Sequence, residues 1–285
     1  MIQVKTVEWF DSHWYKLQND DGVIWLPSVT TILSASPKPF LAQWRGEVGN
    51  DEANKRFYDA TERGTRVHNA TQIYDDGGAV VYQPWGRPNH SEEEIKALAE
   101  QHDGKICILH AQDELLQVYR WRRFIEETGA IIVENERIVH SLEIGSAGTL
   151  DRVIGLMPGE YAVNGAKPVV IENPGNYVLD IKSSKQIDDD YYLQTAAYQK
   201  MYEAETGAEI AGRIIAHTNA TTKKGIEGFS AHFRGNDTIE DDFAAFLHIK
   251  ATWERKFAGA KPTVFDMPSI LSTILERGEE CQEKQ

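Results

Sequence analysis

LDIKSSKQIDDDYYLQTAAYQK, residues 179–200, opens as a strand and closes as a helix. Its first part continues the apolar run of NYVLDIK (176–182), which reads as a core strand, yet that strand carries Asp180 and Lys182. In a strand, residues two apart share a face. Tyr177, Leu179 and Ile181 therefore point one way, and Val178, Asp180 and Lys182 the other. The helix that follows, over 189–205, offers Gln194 and Tyr198, four apart and so on one face. Two polar sets, one on a strand and one on the next helix, are directed at a common space.

Upstream, GTLDRVIGLM (148–157) alternates as a neighbouring strand and brings Asp151 onto a face with Thr149 and Val153. Pairing of the two strands can set Asp151 beside Asp180. Two carboxylates so placed repel unless a proton or a cation lies between them. Hard divalent ions such as Mg²⁺ or Mn²⁺ favour oxygen ligands of this kind. Asp180 and Lys182 alone would equally make a plain ion pair on an exposed sheet face, with Gln194 and Tyr198 on the surface. The Gly-Thr-Leu-Asp before them and the Gln-x-x-x-Tyr after them turn the reading toward a metal-bearing cleft.

The rest of the chain supplies a mixed frame. HWYKLQNDDGVIWL (13–26) reads as a hairpin about Asn-Asp-Asp-Gly. PSVTTILS starts a short helix with Ser28 as N-cap. Residues 38–76 read as helical, 79–90 as loop, and 91–101 and 110–128 as helices, the last closed by Gly129. AIIVENERIVH (130–140) is a strand. Residues 158–176, rich in Pro and Gly, form a long loop with one short strand near Val169–Ile171. GRIIAHTN and GFSAHFR make a second hairpin around TTKKG, residues 238–257 a long amphipathic helix, and the end a charged tail. The fold expected is α/β (α+β), a central mixed sheet flanked by helices with an N-terminal helical cap. Residues 1–128 form the hairpin and helical region, 129–275 the core and 276–285 the tail.

Composition narrows the classes. The chain has 285 residues, only two cysteines and a formal net charge of -14. That charge argues against a protein that coats nucleic acid through a basic surface. Two cysteines, Cys107 and Cys281, exclude an iron–sulfur cluster on Cys ligands. No apolar stretch reaches the roughly 18 residues of a membrane span, and the N-terminus lacks a secretory signal, so a cytoplasmic protein is expected. The acidic runs Glu92–Glu94, Asp188–Asp190 and Glu240–Asp242 read as solvated helix N-termini.

GTLDRV, VLDIKSSK and QTAAY, in this order, resemble the PD-(D/E)XK nuclease superfamily, and within it the RecB-like exonuclease branch. PSVTTIL and ERGTRVH, with Gly64 and His68, are similar to phage RecB-like exonucleases and the mitochondrial genome maintenance exonuclease. The motifs span residues 64–198, or 27–198 with the N-terminal piece. The resemblance implies a restriction-endonuclease-like core and a metal-dependent exonuclease acting on single-stranded DNA or DNA ends. It implies Mg²⁺ or Mn²⁺ as cofactor, one or two ions, and a setting in a bacterial or phage-infected cell, with recombination or replication proteins as partners.

Residue by residue, Asp151 and Asp180 match the metal-binding carboxylates, Lys182 the catalytic lysine, and Gln194 and Tyr198 the QxxxY motif. His68 matches an additional metal ligand, the Ile181 carbonyl a backbone ligand, and Glu136 an acidic position of some relatives. Arg63, Arg66, Ser183, Lys223 and Lys224 are candidates for contact with substrate phosphates. Gly64 would let its helix approach the sheet closely. A nuclease-fold protein that binds DNA without cleaving it is the alternative, and the intact Asp, Asp and Lys speak against it.

Overall fold

The structure, a computed structural model, describes residues 3–9, 12–19, 22–162, 168–221, 227–257 and 259–262. The N-terminal part comprises β1 (Gln3–Trp9), β2 (Ser12–Asn19), β3 (Gly22–Pro27), α1 (Val29–Leu33), α2 (Pro39–Val48) and α3 (Asn50–Asp75). Next come β4 (Ala79–Tyr82), α4 (Glu92–Gln101), β5 (Ile106–Leu109) and α5 (Gln112–Thr128). The remainder is β6 (Ile131–Ser141), β7 (Ser146–Leu156), β8 (Gly159–Tyr161), β9 (Val169–Ile171), β10 (Gly175–Lys182), α6 (Asp190–Thr206), β11 (Ile210–Thr221), β12 (Glu227–Gly235) and α7 (Ile239–Phe257).

The central sheet has the order β12-β11-β10-β7-β6. Only β10 and β11 run parallel, joined through α6; the other neighbours are antiparallel. It is the mixed sheet flanked by helices that the sequence leads one to expect. Its middle strand, β10, is covered on both faces. Val178 packs with α6 residues Ala197, Tyr198 and Met201 and with Phe246 of α7. Tyr177, Leu179 and Ile181 pack on the other face with Trp121 and Phe124 of α5. Double-sided cover explains why β10 is so apolar, and why any polar group on it needs a partner.

Several elements depart from the sequence reading. The helix expected over 38–76 is two, because Gly49, at φ +84°, breaks it between α2 and α3. The loop expected over 79–90 begins with β4, which pairs in parallel with β5; two four-residue strands joined across a helix leave no local signal. The hairpin at 13–26 gains a third strand, β1. The strand at Val169–Ile171 forms and pairs with β8.

Two of the acidic runs are not simply solvated. Asp242 is buried and bound by Arg213 (2.7 Å) and Arg234 (2.5 Å). Asp190 is buried with Lys38 at 3.2 Å. The Glu92–Glu94 run does lie at an exposed helix start, where Ser91 and Glu94 make a capping box. The expected tail and the loop tip with Lys223 and Lys224 lie outside the described residues. Among the described residues no helix is long and apolar enough to cross a membrane.

Candidate active site

The pairing of β7 with β10 sets the site. Its last matched pair is Arg152 with Leu179, so the next step along the ladder brings Asp151 level with Asp180. There the ladder opens. The Asp151 carboxylate takes over as partner of the next amide, accepting the Ile181 N–H at 2.7 Å. This bond fixes Oδ2 at the strand end.

His68 arrives from α3. Its Nε2 lies 2.8 Å from the Ile181 carbonyl oxygen and 3.3 Å from Asp151 Oδ2. Gly64, one turn earlier, leaves room for this approach. A Cβ there would sit 3.0 Å from Ser183 Oγ, just past the end of β10. Thr71 donates to the His68 carbonyl at 2.8 Å and ties the ring's own turn.

Glu136 completes the group, its Oε1 3.8 Å from His68 Nδ1. Donor atoms of His68, Glu136 and Asp151 all lie within 4.8 Å of one another. The backbone of Glu136 is left-handed, φ +52°, in the middle of β6. A non-glycine residue in this conformation is uncommon, and inside a strand it re-aims the side chain. Its effect is visible in the neighbours. Glu134 and Arg137 pair with each other at 2.6 Å, and Arg137 reaches Glu205 and the Tyr202 ring of α6. Glu136, between them, instead reaches Arg152 and His68.

Asp180, 1% exposed, faces α6. Its Oδ2 is paired with Lys182 Nζ at 2.6 Å. Its Oδ1 accepts from Gln194 Nε2 at 3.1 Å, and the same amide group donates to the Tyr198 hydroxyl at 3.2 Å. Lys182 donates to Gln194 Oε1 at 3.3 Å and stands 4.6 Å above the Tyr191 ring. The Tyr198 ring fits because residue 148 is glycine: a Cβ would lie 2.3 Å from its Cε1. The glycine of Gly-Thr-Leu-Asp and the tyrosine of QxxxY are thus one packing unit.

Charges follow from this geometry. Burial, then the neighbouring Asp151, raise Asp180 against the pull of Lys182, and it rests at about 6. Burial disfavours the Lys182 ammonium, but Asp180 and Asp151 outweigh it and hold its pKa above the ordinary lysine value. Burial likewise works against a charged His68, yet Asp151 and Glu136 prevail and push it up to about 9. Burial keeps the Tyr198 phenol neutral.

A cleft of about 450 Å³ opens on this group, lined among others by Phe57, Arg63, His68, Lys182, Ser183 and Tyr191. Arg63 has only a loose ion pair at 4.0 Å to Asp113, and its buried Nε has no hydrogen-bond partner among the described residues. Arg66 is tied down instead, at 2.8 Å to Glu114 and 3.5 Å to Glu62. The sequence reading left out Arg152, Asp75, Thr71 and Gly148. Arg152 had one usable signal: an arginine in a central strand is buried, and a buried arginine needs an acid.

No family model and no curated protein matches the chain. Among solved structures it is similar to a putative exonuclease from Eubacterium rectale, at 12% identity over 73% of each chain, TM-score 0.37. It is also similar to the alkaline exonuclease LHK-Exo from Laribacter hongkongensis, at 16% identity over 66% of this chain and 92% of that one, TM-score 0.26. LHK-Exo in complex with dAMP aligns at 14% identity, over 68% and 94% of the two chains, TM-score 0.25.

Proposed function

We propose that this chain is a divalent-metal-dependent deoxyribonuclease that hydrolyses phosphodiester bonds as an exonuclease, on single-stranded DNA or DNA ends. One observation carries the reading: the His68, Glu136 and Asp151 donor atoms gather within 4.8 Å, directly beside the linked Asp180, Lys182 and Gln194. The donor set is oxygen and imidazole without thiolate, which suits Mg²⁺ or Mn²⁺.

In this reading His68, Asp151 and Glu136 hold the ion, with the Ile181 carbonyl, 2.8 Å from His68 Nε2, and Asp180 as the other oxygen ligands. A divalent ion bound there supplies a water of lowered pKa and offsets charge growing on the phosphate. Lys182 stays protonated, held between Asp180 and Gln194, and its ammonium stabilises the phosphate oxygens in the transition state. Gln194, braced by Tyr198, fixes the Asp180 carboxylate. Arg63 and Ser183, both lining the cleft, bind the phosphates of the strand. Arg66, although paired with Glu62 and Glu114, and Lys223 and Lys224 supply further phosphate contacts. These cations let a protein of charge -14 accept a polyanion. Residues 129–275 carry the nuclease core and residues 1–128 contribute the histidine. The cellular setting is phage-type replication, recombination or repair in the cytoplasm.

The test uses end-labelled linear single- and double-stranded DNA, with a circular control, in Mg²⁺, Mn²⁺ or EDTA. The expected result is nucleotide release from linear DNA in either metal, none in EDTA and none from circles. Absence of cleavage in both metals, or cleavage that survives EDTA, refutes the reading.

A further inference from the structure

Behind the donor group lies a buried arginine that the proposed reaction does not use. Arg152 follows Asp151 in β7, so its side chain leaves the strand on the opposite face, and it is 0% exposed. Every arm of its guanidinium is engaged. Nε lies 2.6 Å from Asp75 Oδ2 at the end of α3. Nη1 lies 2.9 Å from Glu136 Oε1 and donates to the Asp151 carbonyl oxygen at 2.7 Å. Nη2 donates to Thr71 Oγ1 at 3.4 Å, and Thr71 in turn donates to the His68 carbonyl oxygen. Trp121 lies under the guanidinium at 5.9 Å and closes the loop, its Nε1–H shared between the Asp75 oxygens at 3.0 and 3.1 Å.

One planar cation therefore reaches all three donor residues: the Glu136 carboxylate itself, the Asp151 backbone and, through Thr71, the turn that carries His68. Its contact with Glu136 coincides with the left-handed backbone at that residue. Without such a hold, regular alternation would carry the Glu136 carboxylate away from His68. A positive charge this close to a metal ligand would itself oppose a cation. Asp75 offsets it, leaving the Glu136 charge for the ion. A guanidinium is suited to this task because its donors are fixed in one plane; lysine has no such fork.

We propose that Arg152 and Asp75 are positioning residues, a lock that turns and holds Glu136 onto the metal-donor group while cancelling each other's charge. The inference rests on the metal-binding reading above. Partners that orient metal ligands are typically worth about 10–100-fold in affinity.

Calorimetric titration with Mn²⁺ alone, on the intact chain, tests it. Asp75→Asn keeps the shape, leaves Arg152 uncompensated, and is expected to weaken Mn²⁺ binding by about 10–100-fold. Glu136→Gln should weaken it as well. In the double variant the two losses should not multiply, because Asp75 acts through Glu136. Unchanged affinity in Asp75→Asn, or losses that multiply in the double variant, overturns the lock. Should Asp75→Asn fail to fold, Trp121→Phe keeps the ring and removes only the N–H to Asp75. It should weaken Mn²⁺ binding in the same direction, again without effect in the Glu136→Gln background. Wild-type protein that takes up no Mn²⁺ is a different failure: it removes the metal reading and this inference with it.

Discussion

Metal uptake should expel a proton from His68. In the metal-free protein burial opposes the imidazolium, but Asp151 and Glu136 outweigh it, and the folded pKa rises from 6.5 to about 9. A raised folded value means that protonated His68 stabilises the fold. That stabilisation is complete below about 6.5 and disappears as pH rises through about 9. At 1.36 kcal/mol per pKa unit it amounts to about 3 kcal/mol. A metal ligand must be unprotonated, so ion and proton compete for the same ring. Between about pH 7 and 9, Mn²⁺ affinity should climb about tenfold per pH unit, with close to one proton released per ion, and level off above. Asp180, pushed to about 6, adds a second proton only at lower pH. Anaerobic calorimetry at about pH 6.5, 7.5 and 8.5, in buffers of different ionisation enthalpy, measures both affinity and proton count. Affinity that is flat across this range, with no proton release, refutes the reasoning. In His68→Ala the slope should vanish.

Other perturbations probe separate parts of the site and its frame. Asp180→Asn should abolish DNA cleavage with a cooperative melt retained; full activity in the folded variant would remove Asp180 from the site. Lys182→Ala should keep Mn²⁺ binding and lose turnover, since its ammonium acts in the transition state; if calorimetry shows binding lost as well, the lysine is holding the site together. Gly148→Ala should cost about 1–3 kcal/mol in urea unfolding, the usual effect of overpacking, because the new methyl meets the Tyr198 ring; an unshifted midpoint contradicts that contact. Asp242→Ala should cost about 3–5 kcal/mol by leaving the buried Arg213 unpaired, and a stable variant would show that water reaches that arginine.

What was legible in the sequence was what repeats with a period or is confined to a few neighbouring positions. The alternation of NYVLDIK placed Asp180 and Lys182 on the face opposite Leu179 and Ile181, and the clusters on either side of β10 agree. The spacing of Gln194 and Tyr198 likewise put both on the buried side of α6. Features that depend on one dihedral angle or on distant partners were not legible. Nothing local says that Glu136 adopts φ +52°, and alternation alone would misdirect its side chain. Asp242 looks like any first-turn acid until β11 and β12 bring Arg213 and Arg234 to it. Asp75 lies 77 residues from Arg152, so their pairing appears only once α3 is docked on the sheet.

The contact of His68 with the Ile181 carbonyl spans 113 residues of chain. Contacts so remote in sequence slow folding, and synthesis delivers the N-terminal part first. On the ribosome α3 and its histidine emerge long before Asp151, and Asp180 follows later still. A growing chain that has not yet completed β10 carries all three donor residues but not Asp180 or the Ile181 carbonyl beside them. The settled grouping of ligands is therefore a property of the finished sheet, and products that stop short of β10 lack the strand end on which His68 and Asp151 meet.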